Sequence, residues 1–176
     1  VIATRDSNIG MGGPAMIEGG GLGKFAPTDI GPIEVQANNG VVDLVAENEA
    51  HATQLAQHCL SYFQGDLLSW DCADQAQLGA LMPDDRRYVY DIRALIKQLV
   101  DCDSFVELSR LYGSGVVTGF VRIEGRAMGL LANDCKVLGG AVDAEAADKA
   151  ARFIRLCNSF SIPVLSLCDT PGFMVG

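Results

Sequence analysis

An α/β fold of stacked ββα units is what this sequence predicts, and three observations carry the expectation. Short β-type runs come in pairs separated by turn residues, and the pairs alternate with segments of helical periodicity. The stretch 127–176 strings together a strand, a glycine loop, a long helix, a second strand and a proline–glycine loop. A ββα unit cannot bury both of its faces alone, so such units pack on one another, and a spiral stack is the natural arrangement. With 176 residues, 49% hydrophobic and 20% charged, the chain is long enough for one sizeable domain or two incomplete lobes.

The formal net charge of −9 argues against nonspecific nucleic-acid binding, which needs a basic face to neutralise phosphates. An anionic small ligand stays open, because Arg122, Arg126, Lys136, Arg152 and Arg155 fall in the last third and can make a local positive field. The six cysteines form no CxxC pair and have no histidines at metal-ligand spacing, so no metal is expected. Several sit at apolar helix or strand positions, which suits a reducing compartment: the cytoplasm or, in a eukaryote, the mitochondrial matrix. No apolar run reaches membrane-spanning length and none reads as a signal peptide, so no membrane partner is expected.

Val1–Ala3 reads as the tail of a strand, and the Gly10-Met11-Gly12-Gly13-Pro14 turn leads into a short helix around Ala15–Glu18, with proline near its first position. Gly19–Gly23 is a loop, since glycine in a helix interior costs about 1 kcal/mol relative to alanine. Ile33–Ala37 and Val41–Ala46 flank Asn38-Asn39-Gly40, which predicts a hairpin. From Glu47 to Phe63 the residues Ala52, Leu55, Ala56, Cys59, Leu60 and Phe63 recur at helical spacing, with His51 and His58 off the stripe as locally hydrogen-bonded histidines. Gly65–Asp85 has no sustained period and reads as a connector. A helix over Arg86–Val100 follows, then strands at Ser104–Leu108 and Gly115–Ile123 and a tight turn at Glu124-Gly125-Arg126.

Ala127–Ala132 continues as a strand, broken by Asn133–Lys136. Asp143 is placed to cap a helix reaching about Phe160, with Glu145 and Asp148 where the helix dipole favours negative charge. Pro163–Cys168 reads as a buried strand of the parallel type, and Asp169-Thr170-Pro171-Gly172-Phe173 turns at its C-terminal end. Ligands collect beyond such strand ends, so this turn and Gly139-Gly140-Ala141 are placed to face one cleft. Glycines before a helix start suit an oxyanion, because the backbone approaches closely and the N–H groups are unpaired. A turn that needs glycine only for its dihedrals fits the same residues.

Set together, Gly10 to Glu18, Tyr90-Asp91-Ile92-Arg93, Ser104 to Leu108, Gly125-Arg126 with Ala132-Asn133, Asp148 to Phe153 and Asp169 to Phe173 resemble the carboxyltransferase subunit (beta chain) of biotin-dependent acyl-CoA carboxylases. The resemblance spans essentially the whole chain, in family order. It implies the crotonase-like (ClpP/crotonase) spiral of ββα units as two related lobes. Residues 1–64 would be the latter part of the N-terminal lobe, 65–85 the connector and 86–176 the first part of the C-terminal lobe.

The activity the resemblance implies is transfer of CO2 from carboxybiotin to the α-carbon of an acyl-CoA of the acetyl- or propionyl-CoA type. Both half-reactions pass through enolates, so backbone N–H donors do the work and no histidine, cysteine or serine nucleophile is needed. Carried over by position, Gly139, Gly140 and Ala141 stabilise an oxyanion on the biotin side. Asn133, Leu138, Asp169, Pro171, Gly172 and Phe173 line that cleft, and Met11, Gly12, Gly13 and Pro14 lie near the acyl end of the first-lobe pocket. Biotin is expected on a separate polypeptide or domain, with biotin carboxyl carrier and biotin carboxylase components as partners and a homo-oligomer as the assembly. The chain itself has no Met-Lys-Met attachment site and no Walker-type glycine loop.

The chain departs from many relatives at Ala127, where they carry proline, and near Asp134-Cys135, where it has none. The family's first-lobe oxyanion glycines would precede Val1 and a further second-lobe glycine loop would follow Gly176, so the expectation is a fragment that is inactive alone. Two alternatives remain open at this stage: a biotin-dependent decarboxylase subunit of the malonyl- or methylmalonyl-CoA type, and a non-catalytic CoA- or protein-binding module.

Overall fold

The computed structural model describes residues 1–85 and 87–175. In chain order the elements are β1 (Ile2–Thr4), α1 (Pro14–Gly19), α2 (Ile33–Asn38), β2 (Leu44–Ala46), α3 (Glu49–Ser61), α4 (Ile92–Leu99), β3 (Val106–Leu108), β4 (Val116–Ile123), β5 (Arg126–Asn133), α5 (Ala144–Ser159) and β6 (Val164–Leu167). Short 3-10 turns lie at Pro27–Asp29, Gln75–Leu81 and Leu138–Gly140. The fold is α/β, as the alternation of elements predicts. β1 and β2 pair in parallel. The larger sheet runs β3-β4-β5-β6, with the first two pairings antiparallel and the last parallel across α5.

Alternation along β4 and β5 sends side chains to two different layers. Val117, Val121, Leu130 and Ala132 pack against Ile92, Ile96 and Val100 of the α4 segment. On the other face Phe120 joins Val106, Phe153, Cys157 and Tyr62. Glu124 (φ 52°) and Gly125 (φ 75°) are both left-handed, the backbone a two-residue hairpin needs to follow the strands' twist. Two mid-strand glycines let layers close. A Cβ on Gly119 would sit 2.3 Å from the Val106 carbonyl oxygen, and one on Gly129 would sit 2.6 Å from Cys157 Sγ.

Four sequence expectations change. The hairpin expected over 33–46 is helix α2 followed by β2, which pairs with the distant β1 instead. Pro32 opens the helix with its carbonyl accepting from Val35 and Gln36 N–H, and Ile33 and Ala37, four apart, are buried while Val35 is exposed, a helical period read as a strand's. In α3, capped by Asn48, Leu60 of the expected stripe is exposed, and the buried residue is Tyr62. Its ring stacks on His58 and Phe120 and its hydroxyl donates to the Ser104 carbonyl.

The helix expected from 86 begins only at Ile92, because the Asp91 carboxylate caps it by accepting from Arg93 and Ala94 N–H. Val89 lies outside it and is exposed, and Arg86 lies outside the described residues. β6, expected to be buried, is the outer strand of its sheet with alternate residues exposed. The histidines hold to expectation: His51 Nδ1 accepts from Glu47 N–H and His58 Nε2 meets the Tyr62 hydroxyl. All six cysteines are free, and no cluster of metal-ligating side chains occurs among the described residues.

One ion network ties the α4 start to the short β3 and to the turn after β5. Arg93 grips Glu107 on β3 through Nη2 at 2.6 Å and Nε at 2.9 Å, and reaches Asp134, just past β5, through Nη1 at 2.5 Å. The acids are only 10% and 6% exposed. Removing a buried cation's charge while its acids remain costs more than the pair contributes, because the acids are left desolvated and unpaired.

Arg93→Met is therefore expected to lose about 3–5 kcal/mol, read as a drop in the urea midpoint at unchanged slope. Gly119→Ala, whose Cβ meets immovable backbone, is expected to lose about 1–3 kcal/mol in the same measurement, whereas alanine at the open Gly13 leaves the midpoint near wild type.

Candidate functional site

The site grows from the place where β5 stops. Asp134 N–H donates to the Gly115 carbonyl at 2.9 Å, and its Oδ1 accepts from Lys136 N–H at 3.1 Å, which starts a turn. Leu138 (φ 49°), Gly139 (φ 62°) and Gly140 (φ 85°) then take three consecutive left-handed conformations. At Gly140 the absence of a side chain is obligatory, since a Cβ would lie 2.4 Å from the Asp169 carbonyl oxygen. Past the turn Asp143 caps α5 by accepting from Ala146 N–H at 2.8 Å, with Glu145 in the first turn.

The 169–173 loop is bound directly to this turn. Asn133, only 9% exposed, joins the two: its Nδ2 donates to the Gly140 carbonyl at 3.2 Å and its Oδ1 accepts from Asp169 N–H at 3.2 Å. Val142 N–H donates to the Gly172 carbonyl at 3.0 Å and Met174 N–H to the Val142 carbonyl at 2.9 Å, a parallel bridge centred on Val142 and Phe173. Thr170 Oγ1 shapes the loop tip by accepting from Gly172 N–H. Within the turn, Gly140 N–H donates to the Val137 carbonyl and Ala141 N–H to the Leu138 carbonyl, so those donors hold the turn's shape in this state. Leu138 and Phe173 are exposed, at 54% and 79%.

The structure thus brings Asn133, Leu138, Gly139, Gly140, Ala141 and the Asp169–Phe173 loop together at the β5 end. It does not bring Met11, Gly12, Gly13 and Pro14 to them. That segment caps α1, with the Gly13 carbonyl accepting from Met16 and Ile17 N–H and Met11 fully exposed. No hydrogen bond among the described residues links it to the β5 end.

Sequence reasoning missed Tyr90 as a site residue. Its hydroxyl donates to Asp169 Oδ2 at 2.9 Å, and its backbone exchanges contacts with Cys135 Sγ. Burial, then the bond to Asp169 and the charge of that carboxylate, push the Tyr90 phenol up to about 12, so it stays a proton donor at neutral pH. The signal was its place in the Tyr90-Asp91-Ile92-Arg93 motif, which carried the resemblance without a role for the side chain. Lys136 Nζ pairs with Asp91 at 2.9 Å, which fixes the far side of the turn. The site is two loops held together by the Asn133 amide, by the backbone bridge at Val142 and Phe173 and by Tyr90, and what it offers is chiefly main-chain groups.

The carboxyl transferase domain family model matches residues 1–176. A solved single-chain, multi-domain long-chain acyl-CoA carboxylase superimposes on 99% of the chain with a TM-score of 0.97 and 58% identity, the chain covering 18% of it. Transcarboxylase 12S, solved as a hexamer with hydrolysed methylmalonyl-coenzyme A bound, superimposes on 99% with a TM-score of 0.85 and 31% identity, over 36% of its length. The beta4 subunit of a biotin-dependent long chain acyl-coenzyme A carboxylase of Mycobacterium tuberculosis is 31% identical across the whole chain, which covers 36% of that subunit. The chain therefore spans about a third of the length of its curated relatives. These neighbours carry the crotonase-like fold expected from the motifs. A family model that fits every residue and a superposition that omits almost none agree, and the chain belongs to the carboxyl transferase domain family.

Proposed function

We propose that the chain forms part of the carboxyltransferase component of a biotin-dependent acyl-CoA carboxylase, in which CO2 passes from carboxybiotin to the α-carbon of an acyl-CoA. The observation that carries this reading is the Asn133 clamp, which sets the Gly139–Ala141 turn and the Asp169–Phe173 loop side by side at the end of β5. Such a wall is made of backbone, as a reaction through enolates requires. Residues 86–176 would belong to the second lobe, with 1–64 the end of the first and 65–85 between them.

Biotin fits this wall. Its ureido group is neutral and polar, and left-handed Gly139 has open space where a Cβ would stand, so a planar ring could approach the backbone there. When bound, biotin supplies the carboxyl group. This chain's part would be to orient and to hold charge: the Gly139 backbone would offer its N–H to the developing oxyanion, while Gly140 N–H holds the turn through the Val137 carbonyl. Phe173 and Leu138, both exposed, would lie against the ring and exclude water, and Tyr90 holds the Asp169 loop through its hydroxyl. Met11–Pro14 would serve an acyl-CoA site completed elsewhere. Biotin carboxyl carrier and biotin carboxylase components, and further copies of the subunit, would complete the enzyme. The free cysteines suit the cytoplasm or a mitochondrial matrix; among the described residues, no helix is long and apolar enough to cross a membrane.

Two assays test the reading. Acyl-CoA-dependent carboxyl transfer to and from free biocytin should be absent for the 176-residue chain and present for the carboxylase that contains it. In that enzyme Gly140→Ala, whose Cβ would push the turn off the Asp169 carbonyl, should misalign the backbone donors and lower kcat by up to about 10²- to 10³-fold, the scale of losing one oxyanion donor, with KM for acyl-CoA nearly unchanged. Gly139→Ala, strained but unobstructed, should lower kcat less. Wild-type turnover by Gly140→Ala would remove the turn from the mechanism.

A further inference from the structure

Away from the β5 end, between β2, α3 and α5, lies a cavity of about 430 Å³, within the size range that takes a small organic ligand. Leu44, Phe63, Phe120, Phe153 and Leu156 make its walls largely apolar. Most of its polar groups are engaged. Asp43 accepts from Ser109 Oγ at 2.7 Å. Thr118 Oγ1 donates to the Leu108 carbonyl, and Arg152 Nη1 to that of Gly40.

Lys149 is the exception. It also lines the cavity, at 3% exposure, and its Nζ is buried with no hydrogen-bond partner among the described residues. It stands on the inner face of α5 with Ala146 and Phe153, where an apolar residue is the ordinary choice. Burial, with the Arg93 charge adding and Glu107 opposing, lowers its ammonium to about 8. At neutral pH a cation therefore remains in an apolar surrounding at a cost that an anion beside it would relieve.

We infer that this cavity binds a small carboxylate on an apolar chain, the carboxylate paired with Lys149 and Arg152 and the chain lying against Phe63, Phe120 and Leu156. This site is separate from the Gly139–Ala141 turn and does not rest on the function proposed for it. The carboxylate supplies the acceptor that Lys149 lacks. The apolar walls select the chain, and the second cation, Arg152, adds to the discrimination against neutral and cationic analogues of the same length.

The test is calorimetric titration of the full chain with octanoate, octanol and octylamine. Octanoate is expected to bind at least about tenfold more tightly than octanol, as a charge-assisted pair implies, and octylamine not to bind. Lys149→Met should fold, since it removes an unpaired buried charge, and should lose the preference for octanoate over octanol. Leu156→Trp, which fills the cavity and leaves the ammonium intact, should abolish binding of both. Should Lys149→Met fail to fold, the wild-type octanoate-to-octanol ratio and Leu156→Trp decide. Equal affinity for octanoate and octanol, unchanged octanoate affinity in either folded variant, or no octanoate binding to the folded wild-type chain would each overturn the inference.

Discussion

The guanidinium of Arg93 is the constraint on which the arrangement depends. It sits at the first turn of α4, yet its partners are a strand at the sheet's edge and the turn that follows β5. A helix start, an edge strand and a loop are each weak as separate features, and each would fray alone. A planar fork with fixed donor directions turns them into one unit, which an ammonium on a flexible stem would do less well. Because Asp134 is both the fork's second partner and the residue that opens the left-handed turn, the network sets where Gly139 and Gly140 lie. The geometry of the backbone site is inherited from a side-chain interaction several ångströms behind it.

The parts of the fold legible in the sequence were those governed by local chemistry. β4, β5 and their hairpin followed from apolar runs of strand length and from the Glu124-Gly125 turn between them, and α5 from its Asp143 cap and its spaced alanines. Misreadings arose where a segment's partner was distant. Ile33–Ala37 is too short for its period to distinguish a strand from a single helical turn or two, and what decided it was burial of Ile33 and Ala37 in a small cluster with Ala3 and Val42. Tyr62 was hidden because its burial depends on Phe120 and Ser104, far away in sequence.

The site was legible to a similar extent. Glycines before a capped helix and a proline–glycine loop after a strand predicted two loops at one end of a sheet, and the two are hydrogen-bonded there. What joins them was not legible as such, because Asn133 entered through the resemblance without its bonds being evident and Tyr90 fell inside a segment read as helix. Met11–Pro14 was grouped with the site through the family resemblance alone, and no bond among the described residues connects it. Lys149 escaped notice for the opposite reason: in the sequence it lies among charged helix residues, and only packing reveals that it faces inward.

Among the described residues β6 has a neighbour on one side only, while the opposite edge of the sheet, β3, offers three residues. The longer free row of backbone donors and acceptors therefore lies along Val164–Leu167, with Val164 partly exposed. Edge rows of this kind template further pairing. Self-association of this chain at high concentration should accordingly begin along that row and in register with it, and its onset should depend on the residues of a single strand more than on the repulsion supplied by the acidic surface.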